Sequence, residues 1–315
     1  MNRTLLTGLI LAVVSSAAFG TSGALAKGLL SAGWSPAAAV TWRVAIGAAL
    51  LAVPAIVALR GRWHLLRRSW PTILLFGLIA VASCQLAYFL AVERLEVAIA
   101  LLLEYCGVIL VVGWLWLRHG QRPQPLTIIG TAIAVAGLVL VLDVFGAIQV
   151  DPVGVMWGLI AAAGLATYFV VSCDESHGLP PIALAAGGLL TGTVALLLAG
   201  ALGVVAMNWN TADVMLAGVL VPWWLDVALL GVVAAALSYL TGVAGTRRLG
   251  PKLASFVGLS EVMFAVLWAW LLLSELPSGL QLAGGVLILA GVAVVRMDEA
   301  RRGTPVTATA AGAND

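Results

Sequence analysis

Long apolar runs follow one another along this chain, and short breaks rich in proline, glycine or arginine separate them. A run of about 20 residues is long enough to cross the roughly 30 Å hydrocarbon core of a bilayer as an α-helix. The pattern predicts ten spans, at residues 4–26, 36–59, 71–92, 96–117, 125–142, 153–172, 180–207, 224–246, 252–273 and 279–295. Because the runs are continuously apolar and do not alternate with a period of two, they favour helices over membrane β-strands.

The composition is also that of a membrane protein. Of the 315 residues, 62% are hydrophobic and only 10% are charged, whereas an ordinary soluble domain carries about a quarter of its residues as charge. Little of the chain is left for a soluble domain, so we do not expect an enzyme. Cys84, Cys106 and Cys173 lack ligand-like spacing, and no phosphate loop or nucleic-acid motif is recognisable. We therefore expect no metal, no cofactor and no nucleic-acid partner.

Positive charges concentrate in alternate loops. If the N-terminus is cytoplasmic, 13 of the 16 Lys and Arg residues fall on the cytoplasmic side, Lys27 and Arg94 fall outside, and Arg43 lies within a span. Lys and Arg are enriched in the cytoplasmic loops of membrane proteins, so this asymmetry predicts that both termini are cytoplasmic. Residues 3–26 also resemble a cleaved secretory signal. We expect them to be retained, because their loss would remove a helix that has a counterpart in the second half.

The second half of the chain repeats landmarks of the first half. Three pairs of short motifs share an offset of 154 residues: 94–95 and 248–249, 114–117 and 268–271, and 130–137 and 284–291. Each unit contains five spans, an odd number, so the second unit has to enter the membrane from the opposite side. We predict a five-helix repeat over residues 1–148, a second, inverted repeat over 149–297, and a disordered cytoplasmic tail over 298–315. Inverted repeats are a recurring plan of secondary transporters, whose substrate site lies near the midplane between the halves.

Two glutamates interrupt apolar spans at depth. At 1.5 Å per residue, Glu104 lies about 12 Å below the outer end of span 4, and Glu261 about 14 Å above the inner end of span 9. A carboxylate in hydrocarbon is costly, so such residues usually face a water-filled cavity or a partner. The alternative is a structural role, in which Glu104 pairs with Arg43 or stays protonated and hydrogen-bonded. Arg43 lies near the outer end of span 2, where it can also snorkel to the interface.

Other polar and aromatic side chains fall at a similar depth on neighbouring spans. We predict that they join the glutamates in a substrate-binding set: Gln85, Tyr88, Tyr105, Tyr168, Ser238, Tyr239 and Ser260. Each serine has an alternative role, because serine often hydrogen-bonds to its own helix or joins neighbouring helices. Trp268 is either a gate at the outer mouth or, like most of the 12 tryptophans, part of an interfacial belt.

Several of these motifs resemble a known family. The segment from Ser260-Glu261 to Gly291, with Phe19-Gly20 near the end of span 1 and Trp42-Arg43 at the start of span 2, resembles the EamA repeat of the drug/metabolite transporter superfamily. The resemblance implies a central cavity lined by spans 1, 3, 4, 6, 8 and 9. It also implies that span 2 is peripheral and that spans 5 and 10 serve as scaffold.

The sequence departs from this family at two points. The family often has a proline directly after the mid-helix acidic residue, whereas here Tyr105 follows the first glutamate and Val262 follows the second. The sequence therefore provides no proline to break either helix. In addition, Gln121 of the first repeat stands where the second repeat has Glu275.

The resemblance implies a secondary transporter of the bacterial inner membrane that exports small metabolites by alternating access. We expect amino acids as substrates, because a carboxylate can bind an ammonium group while tyrosines and a glutamine hold the rest of the solute. A proton-coupled exporter of drugs or nucleosides is the alternative, since aromatic cavities also suit planar solutes. A channel of the same fold is a further alternative. Besides its small-molecule substrate we expect membrane lipid as a partner, and a monomer or weak homodimer.

Overall fold

A computed structural model describes residues 3–92, 94, 97–120, 123–141, 151–175, 178–273 and 279–301. Within this part of the chain each of the ten predicted spans contains helix, although the last six residues of span 7 do not. The α-helices are α1 Arg3–Ser31, α2 Pro36–Leu59, α3 Trp63–Arg68, α4 Trp70–Leu75, α5 Cys84–Val92, α6 Val97–Tyr105, α7 Gly107–His119, α8 Pro125–Val141, α9 Pro152–Ser172, α10 Pro181–Ala201, α11 Trp223–Gly231, α12 Ser238–Leu249, α13 Pro251–Gly258, α14 Ser260–Leu273 and α15 Gly279–Arg301. Two π-helical segments, Phe76–Ser83 and Val232–Leu237, join α4 to α5 and α11 to α12.

The helices have the length and composition of membrane spans. Among the described residues, seven stretches are long and apolar enough to cross a bilayer: Arg3–Ser31, Pro36–Leu59, Trp70–Ala91, Pro152–Ser172, Pro181–Ala201, Trp223–Leu249 and Pro251–Leu272. Two shorter apolar helices lie at the predicted spans 5 and 10, and α6 with α7 covers span 4. The prediction of an all-α, multi-pass membrane protein is confirmed.

Proline and short polar caps determine where several helices begin. Pro36 and Pro152 stand in the first turn of α2 and α9, where the missing N–H has no helical acceptor in any case. The Ser35 hydroxyl accepts a hydrogen bond from the backbone N–H of Ala38, at 3.3 Å. Pro54 is the exception, because it lies inside α2.

The two halves interleave instead of packing as separate units. In the first half, α1 packs mainly on α12 and α14 of the second half. In the second half, α9 packs mainly on α5, α6, α7 and the first π-helical segment. Spans 1 and 6 are therefore each surrounded by helices of the other repeat, as expected for two repeats related by a pseudo-two-fold axis.

The glycines that mark the sequence repeat lie where α8 crosses α15. A Cβ atom added at Gly137 would lie 2.6 Å from the carbonyl oxygen of Gly284, and one added at Gly130 would lie 2.9 Å from that of Gly291. Glycine permits this close approach of two backbones, as in other membrane helix pairs. Spans 5 and 10 thus pair directly with each other.

The irregular parts of the helices also repeat. Shifting the first π-helical segment, Phe76–Ser83, by the 154-residue offset gives residues 230–237, which overlap the second segment, Val232–Leu237. Spans 4 and 9 are each interrupted at one residue, Cys106 and Leu259. At both points hydrogen bonds to the third preceding carbonyl appear: Cys106 N to Leu103 O and Ile109 N to Cys106 O, and Leu259 N to Phe256 O and Val262 N to Leu259 O. These interruptions form without the proline that the family often uses.

The connection between spans 7 and 8 differs from the prediction. Helix α10 ends at Ala201, six residues before the predicted end at residue 207, and Gly203 adopts a φ of +70° directly afterwards. The strands β1 Val214–Leu216 and β2 Val219–Val221 then form an antiparallel hairpin. The hairpin was not predicted, because its residues are mostly apolar and do not alternate. Its two-residue turn, Ala217-Gly218, has positive φ at both positions, as type I′ hairpins require.

This connection covers the loop between α1 and α2. The indole N–H of Trp34 donates to Asn210 O at 2.7 Å, and the Ser35 hydroxyl donates to Ala206 O at 2.7 Å. The backbone N–H of Ala217 donates to Leu272 O at 2.5 Å, which attaches the hairpin to the end of α14. This end of the helix bundle is therefore closed by a segment of the chain.

At the C-terminal end, α15 continues to Arg301, four residues into the predicted tail, and residues 302–315 lie outside the described part of the chain.

Candidate functional site

A cavity of about 60 Å³ lies between helices of both repeats. It is lined from spans 1, 3, 4, 6, 8 and 9, the set that the resemblance implied. The lining residues are Ala12, Ser15, Ser16, Phe19, Ala80, Cys84, Gln85, Glu104, Tyr105, Leu165, Tyr168, Phe169, Tyr239, Gly242, Thr246, Ala254, Gly258 and Glu261. The repeats thus meet at a partly polar space inside a bundle of apolar helices.

Both mid-membrane glutamates face this cavity. Glu104 lies in the last turn of α6, two residues before the interruption at Cys106, and Glu261 lies in the first turn of α14, two residues after the interruption at Leu259. The Cys84 thiol donates to Oε1 of Glu104 at 3.5 Å. Glu261 lines the same cavity as Tyr105, the residue next to Glu104. The two carboxyl groups therefore share one polar environment although they come from different repeats.

A cluster of aromatic rings forms another part of the wall. The ring of Tyr168 lies 5.1 Å from that of Phe169, 5.9 Å from that of Tyr239 and 6.4 Å from that of Phe19, each in an edge-to-face arrangement. These are normal distances for interacting aromatic pairs. The Tyr168 hydroxyl is buried beside Ser15 without a hydrogen bond of ordinary geometry. A hydroxyl group in this state can bind water or a polar group of a solute.

A buried arginine adjoins the cavity. Nη1 of Arg43 donates to Oε1 of Gln85 at 2.8 Å and to the Ser22 hydroxyl at 2.9 Å. Nε and Nη2 both donate to Ala234 O, at 3.2 and 2.6 Å. The guanidinium carbon lies 5.5 Å from the ring centroid of Phe19, which lines the cavity. The arginine thus connects spans 1, 2, 3 and 8.

The sequence model of the EamA-like transporter family matches residues 6–143 and 152–297 of this chain. The chain belongs to the EamA-like transporter family. The two matches fall on the two halves that the internal repeat predicted. Membership of this transporter family also makes the protein a carrier of small molecules and not an enzyme.

Curated EamA relatives are distant in sequence but similar in length. The uncharacterised transporter YwfM of Bacillus subtilis is 24% identical over 279 residues, which cover 88% of this chain and 89% of YwfM. The pseudopaline exporter CntI of Pseudomonas aeruginosa is 27% identical over 302 residues, which cover 94% of this chain and 98% of CntI. A solved crystal structure superposes with a TM-score of 0.74 at 21% identity, over 96% of this chain and 98% of that one. The similarity to this crystal structure concerns the fold alone.

Of the roles considered for Arg43 in this EamA carrier, snorkelling to the interface is wrong. Its residue is only 2% exposed, and its donors are all directed into the bundle. The ion pair with Glu104 is not formed either, since no described carboxylate lies within salt-bridge distance of Arg43. Neutral oxygens hold the guanidinium group instead. One of them, Ala234 O, belongs to the second π-helical segment.

Besides Arg43, four predicted site residues lie outside the cavity lining. The Ser238 hydroxyl donates to Ala234 O at 2.7 Å, and the Ser260 hydroxyl donates to Val257 O at 2.7 Å, so both bind to their own span. Tyr88 packs edge-on against Phe89, with ring centroids 5.6 Å apart. Trp268 donates from its indole N–H to Ala17 O at 2.9 Å and thereby joins α14 to α1. Gln121 and Glu275, which distinguished the repeats, lie outside the described residues.

Several residues that line the cavity were not predicted from the sequence. Ser15 and Ser16 are an adjacent polar pair in the middle of span 1, and that signal was available in the sequence. Cys84 was noted in the sequence only for its lack of ligand-like spacing, although its thiol contacts Glu104. Phe169 and Thr246 carry no signal of their own, because a phenylalanine or threonine in an apolar helix is ordinary.

Proposed function

We propose that this EamA carrier exports amino acids across the inner membrane of a bacterium by alternating access. The observation that carries the proposal is the pair Glu104 and Glu261, from opposite repeats, on one cavity. A carboxylate can accept hydrogen bonds from an ammonium group. The rings of Tyr168 and Tyr239 and the amide of Gln85 offer contacts for the rest of an amino acid.

The size of the cavity supports alternating access. Sites for drug-sized ligands measure about 300–1,000 Å³, whereas this cavity measures about 60 Å³. A drug-sized solute therefore requires the cavity to widen. The interruptions at Cys106 and Leu259 adjoin both glutamates, and broken helices at the centre of secondary transporters are where substrates bind. We propose that these points, together with the two π-helical segments, permit the change of shape.

Charge distribution supports the orientation. With both termini cytoplasmic, 13 of the 16 Lys and Arg residues lie on the cytoplasmic side, as the positive-inside rule expects. In this orientation the hairpin Val214–Val221 covers the outer end of the bundle. One relative is named as an exporter, of pseudopaline, which supports the outward direction of transport.

The ring cluster favours a second candidate, a proton-coupled exporter of drugs or nucleosides. Four aromatic residues line the cavity beside Tyr105: Phe19, Tyr168, Phe169 and Tyr239. Planar solutes stack on such rings. In this candidate Glu104 or Glu261 carries the proton that is exchanged for the solute, since buried carboxyl groups serve as proton carriers in many transporters.

Efflux from proteoliposomes tests the proposal. Vesicles are loaded with a mixed pool of radiolabelled amino acids, and release is compared at two pH values with and without a proton gradient. We expect release of particular amino acids, weakened by Glu104→Gln and by Glu261→Gln. Asp213→Asn is the matched control, because Asp213 is an exposed acid before β1 and outside the cavity. No release of any amino acid by folded protein would overturn the amino-acid assignment.

The same assay separates the two candidates. Proton coupling predicts that release depends on the imposed gradient and that one of the Glu→Gln changes removes this dependence. Recognition of an ammonium group alone predicts weaker affinity in the variants without a change in coupling. Drugs and nucleosides are then tested in the same vesicles.

A further inference from the structure

We infer that Arg43 is a positioning residue that fixes the amide of Gln85 as a hydrogen-bond donor for the carboxylate of the transported solute. This inference rests on the proposed function, because it assumes an amino acid in the cavity. It assigns the two ends of that solute to different walls. The ammonium group faces the glutamates, and the carboxylate faces Gln85.

The position of Arg43 is rigid. Its side chain is almost completely buried and makes four hydrogen bonds to three elements of the fold. Two of them end on the single carbonyl oxygen of Ala234, which lies in a π-helical segment. Because a planar guanidinium group holds its donors in a fixed fork, the Nη1 atom that faces Gln85 cannot turn away without breaking the other bonds.

The chemistry of arginine then determines the orientation of the glutamine amide. A guanidinium group has only donors, so the Gln85 atom 2.8 Å from Nη1 has to be the oxygen. The NH₂ group occupies the other branch of the amide. Gln85 and Tyr239 both line the cavity. The cavity therefore meets amide N–H donors here, which suit a carboxylate and not an ammonium group.

The positive and negative groups around the cavity lie on different sides of it. Arg43 is bonded to neutral oxygens among the described residues, and its charge acts through space on Glu104 and Glu261. The positive group lies behind Gln85 and Phe19, on the side of spans 1 to 3. The carboxyl groups belong to spans 4 and 9. Both the ammonium and the carboxylate group of a zwitterion have a partner in such a site. A simple amine has no carboxylate and leaves the Gln85 donors unpaired.

Discrimination between an amino acid and its decarboxylated amine tests this assignment. Binding of the twenty standard amino acids to the purified protein is measured first, followed by the amine that corresponds to each amino acid that binds. Sites that are built to bind a polar group reject analogues without it. We expect the wild-type protein to bind the amino acid on the order of tenfold more tightly than the amine, or better.

Three variants identify the residues responsible. Gln85→Glu keeps an oxygen for Arg43 but replaces the donors by a second oxygen, so the preference for the amino acid should fall close to one. Arg43→Met frees the amide to rotate and should lower the preference in the same direction. Arg43→Lys retains a group with only donors but lacks the planar fork, so it should lower the preference less than Arg43→Met does, which a merely structural role of the arginine does not predict.

The outcomes are distinguishable. If no amino acid binds to the folded wild-type protein, the proposed function fails, and this assignment fails with it. If amino acids bind but Gln85→Glu keeps the full preference over amines, only the role of Gln85 and Arg43 is overturned. Should Arg43→Met not fold, Gln85→Glu and Arg43→Lys still decide between these results.

Discussion

Glu104 and Glu261 face one cavity from opposite repeats, and each lies two residues from the point where its helix is interrupted. They are not equivalent positions of the repeat, because Glu104 precedes the interruption at Cys106 and Glu261 follows the one at Leu259. The backbone irregularity is symmetric, but the acidic groups are not. A symmetric scaffold thus carries an asymmetric site, which is compatible with binding a solute that has two different ends.

The crossing of α8 and α15 is expected to tolerate no side chain at Gly137. A Cβ atom there would lie 2.6 Å from Gly284 O, so Gly137→Ala should lower the free energy of unfolding by about 1–3 kcal/mol. Gly113→Ala is the matched control, because a Cβ atom at this helical glycine meets nothing within 4 Å. The control should be neutral or stabilising by up to about 1 kcal/mol. Thermal unfolding in detergent measures both, and equal midpoints would contradict the close packing.

Removing the buried guanidinium group should be far more costly than removing an exposed one. Arg43→Met removes the guanidinium donor from Ser22, Gln85 and Ala234 O, and we expect a loss of about 1–3 kcal/mol from the buried polar groups that it leaves unsatisfied. Arg62→Met, at an exposed arginine, should change stability by no more than about 0.5 kcal/mol. Denaturant titration of the two purified variants checks this difference. Equal stabilities would mean that the network around Arg43 contributes nothing to folding.

A buried acid outside the cavity is expected to weaken the fold. Asp226, in the first turn of α11, is 0% exposed, and among the described residues neither of its carboxyl oxygens has a hydrogen-bond partner. A buried charge is costlier than a buried neutral amide, so Asp226→Asn should raise the unfolding temperature and the free energy of unfolding, the latter by about 1 kcal/mol. Asp213→Asn, at an exposed acid, should leave it unchanged. A lower unfolding temperature for Asp226→Asn would show that the carboxyl group itself is needed.

The start of α9 should respond to acid. The backbone N–H of Val153 and the guanidinium group of Arg94 hold the pKa of Asp151 below its ordinary value of 3.8. Since the folded pKa is the lower one, the stabilisation is complete above about pH 5 and is lost as the pH falls through 3.8 to the folded pKa. Wild type should therefore unfold at a higher temperature than Asp151→Asn at pH 7, and the gap should narrow as the pH falls below 3.8. A gap that does not depend on pH would exclude this charge effect.

The arrangement of spans could be predicted from the sequence because hydrocarbon imposes a strong, one-dimensional pattern. Apolar runs of the right length indicate helices, and the glycines at 130–137 and 284–291 indicate the repeat. Those glycines lie at the α8–α15 crossing, where each repeat contributes the same glycine motif to one helix contact. The depth of Glu104 and Glu261 followed in the same way, since it depends only on the number of residues from each helix end.

What depends on neighbours in space could not be predicted. Arg43 was assigned to the interface because its position along span 2 is near an end, whereas the carbonyl of Ala234 that holds it comes from 191 residues away. The interruptions at Cys106 and Leu259 form without proline, so no residue type in the sequence indicates them. The hairpin after α10 was not predicted because its strands have only three residues each and lie in an apolar run.

Equilibrium binding of a released amino acid to the purified protein tests the shared site most directly. If both repeats contribute one acidic group to a single site, Glu104→Gln and Glu261→Gln should each weaken binding on the order of tenfold, since each loses a charged hydrogen bond of about 1.5–3 kcal/mol. Asp213→Asn should bind like the wild type. Wild-type affinity in both glutamine variants would contradict a substrate site between Glu104 and Glu261.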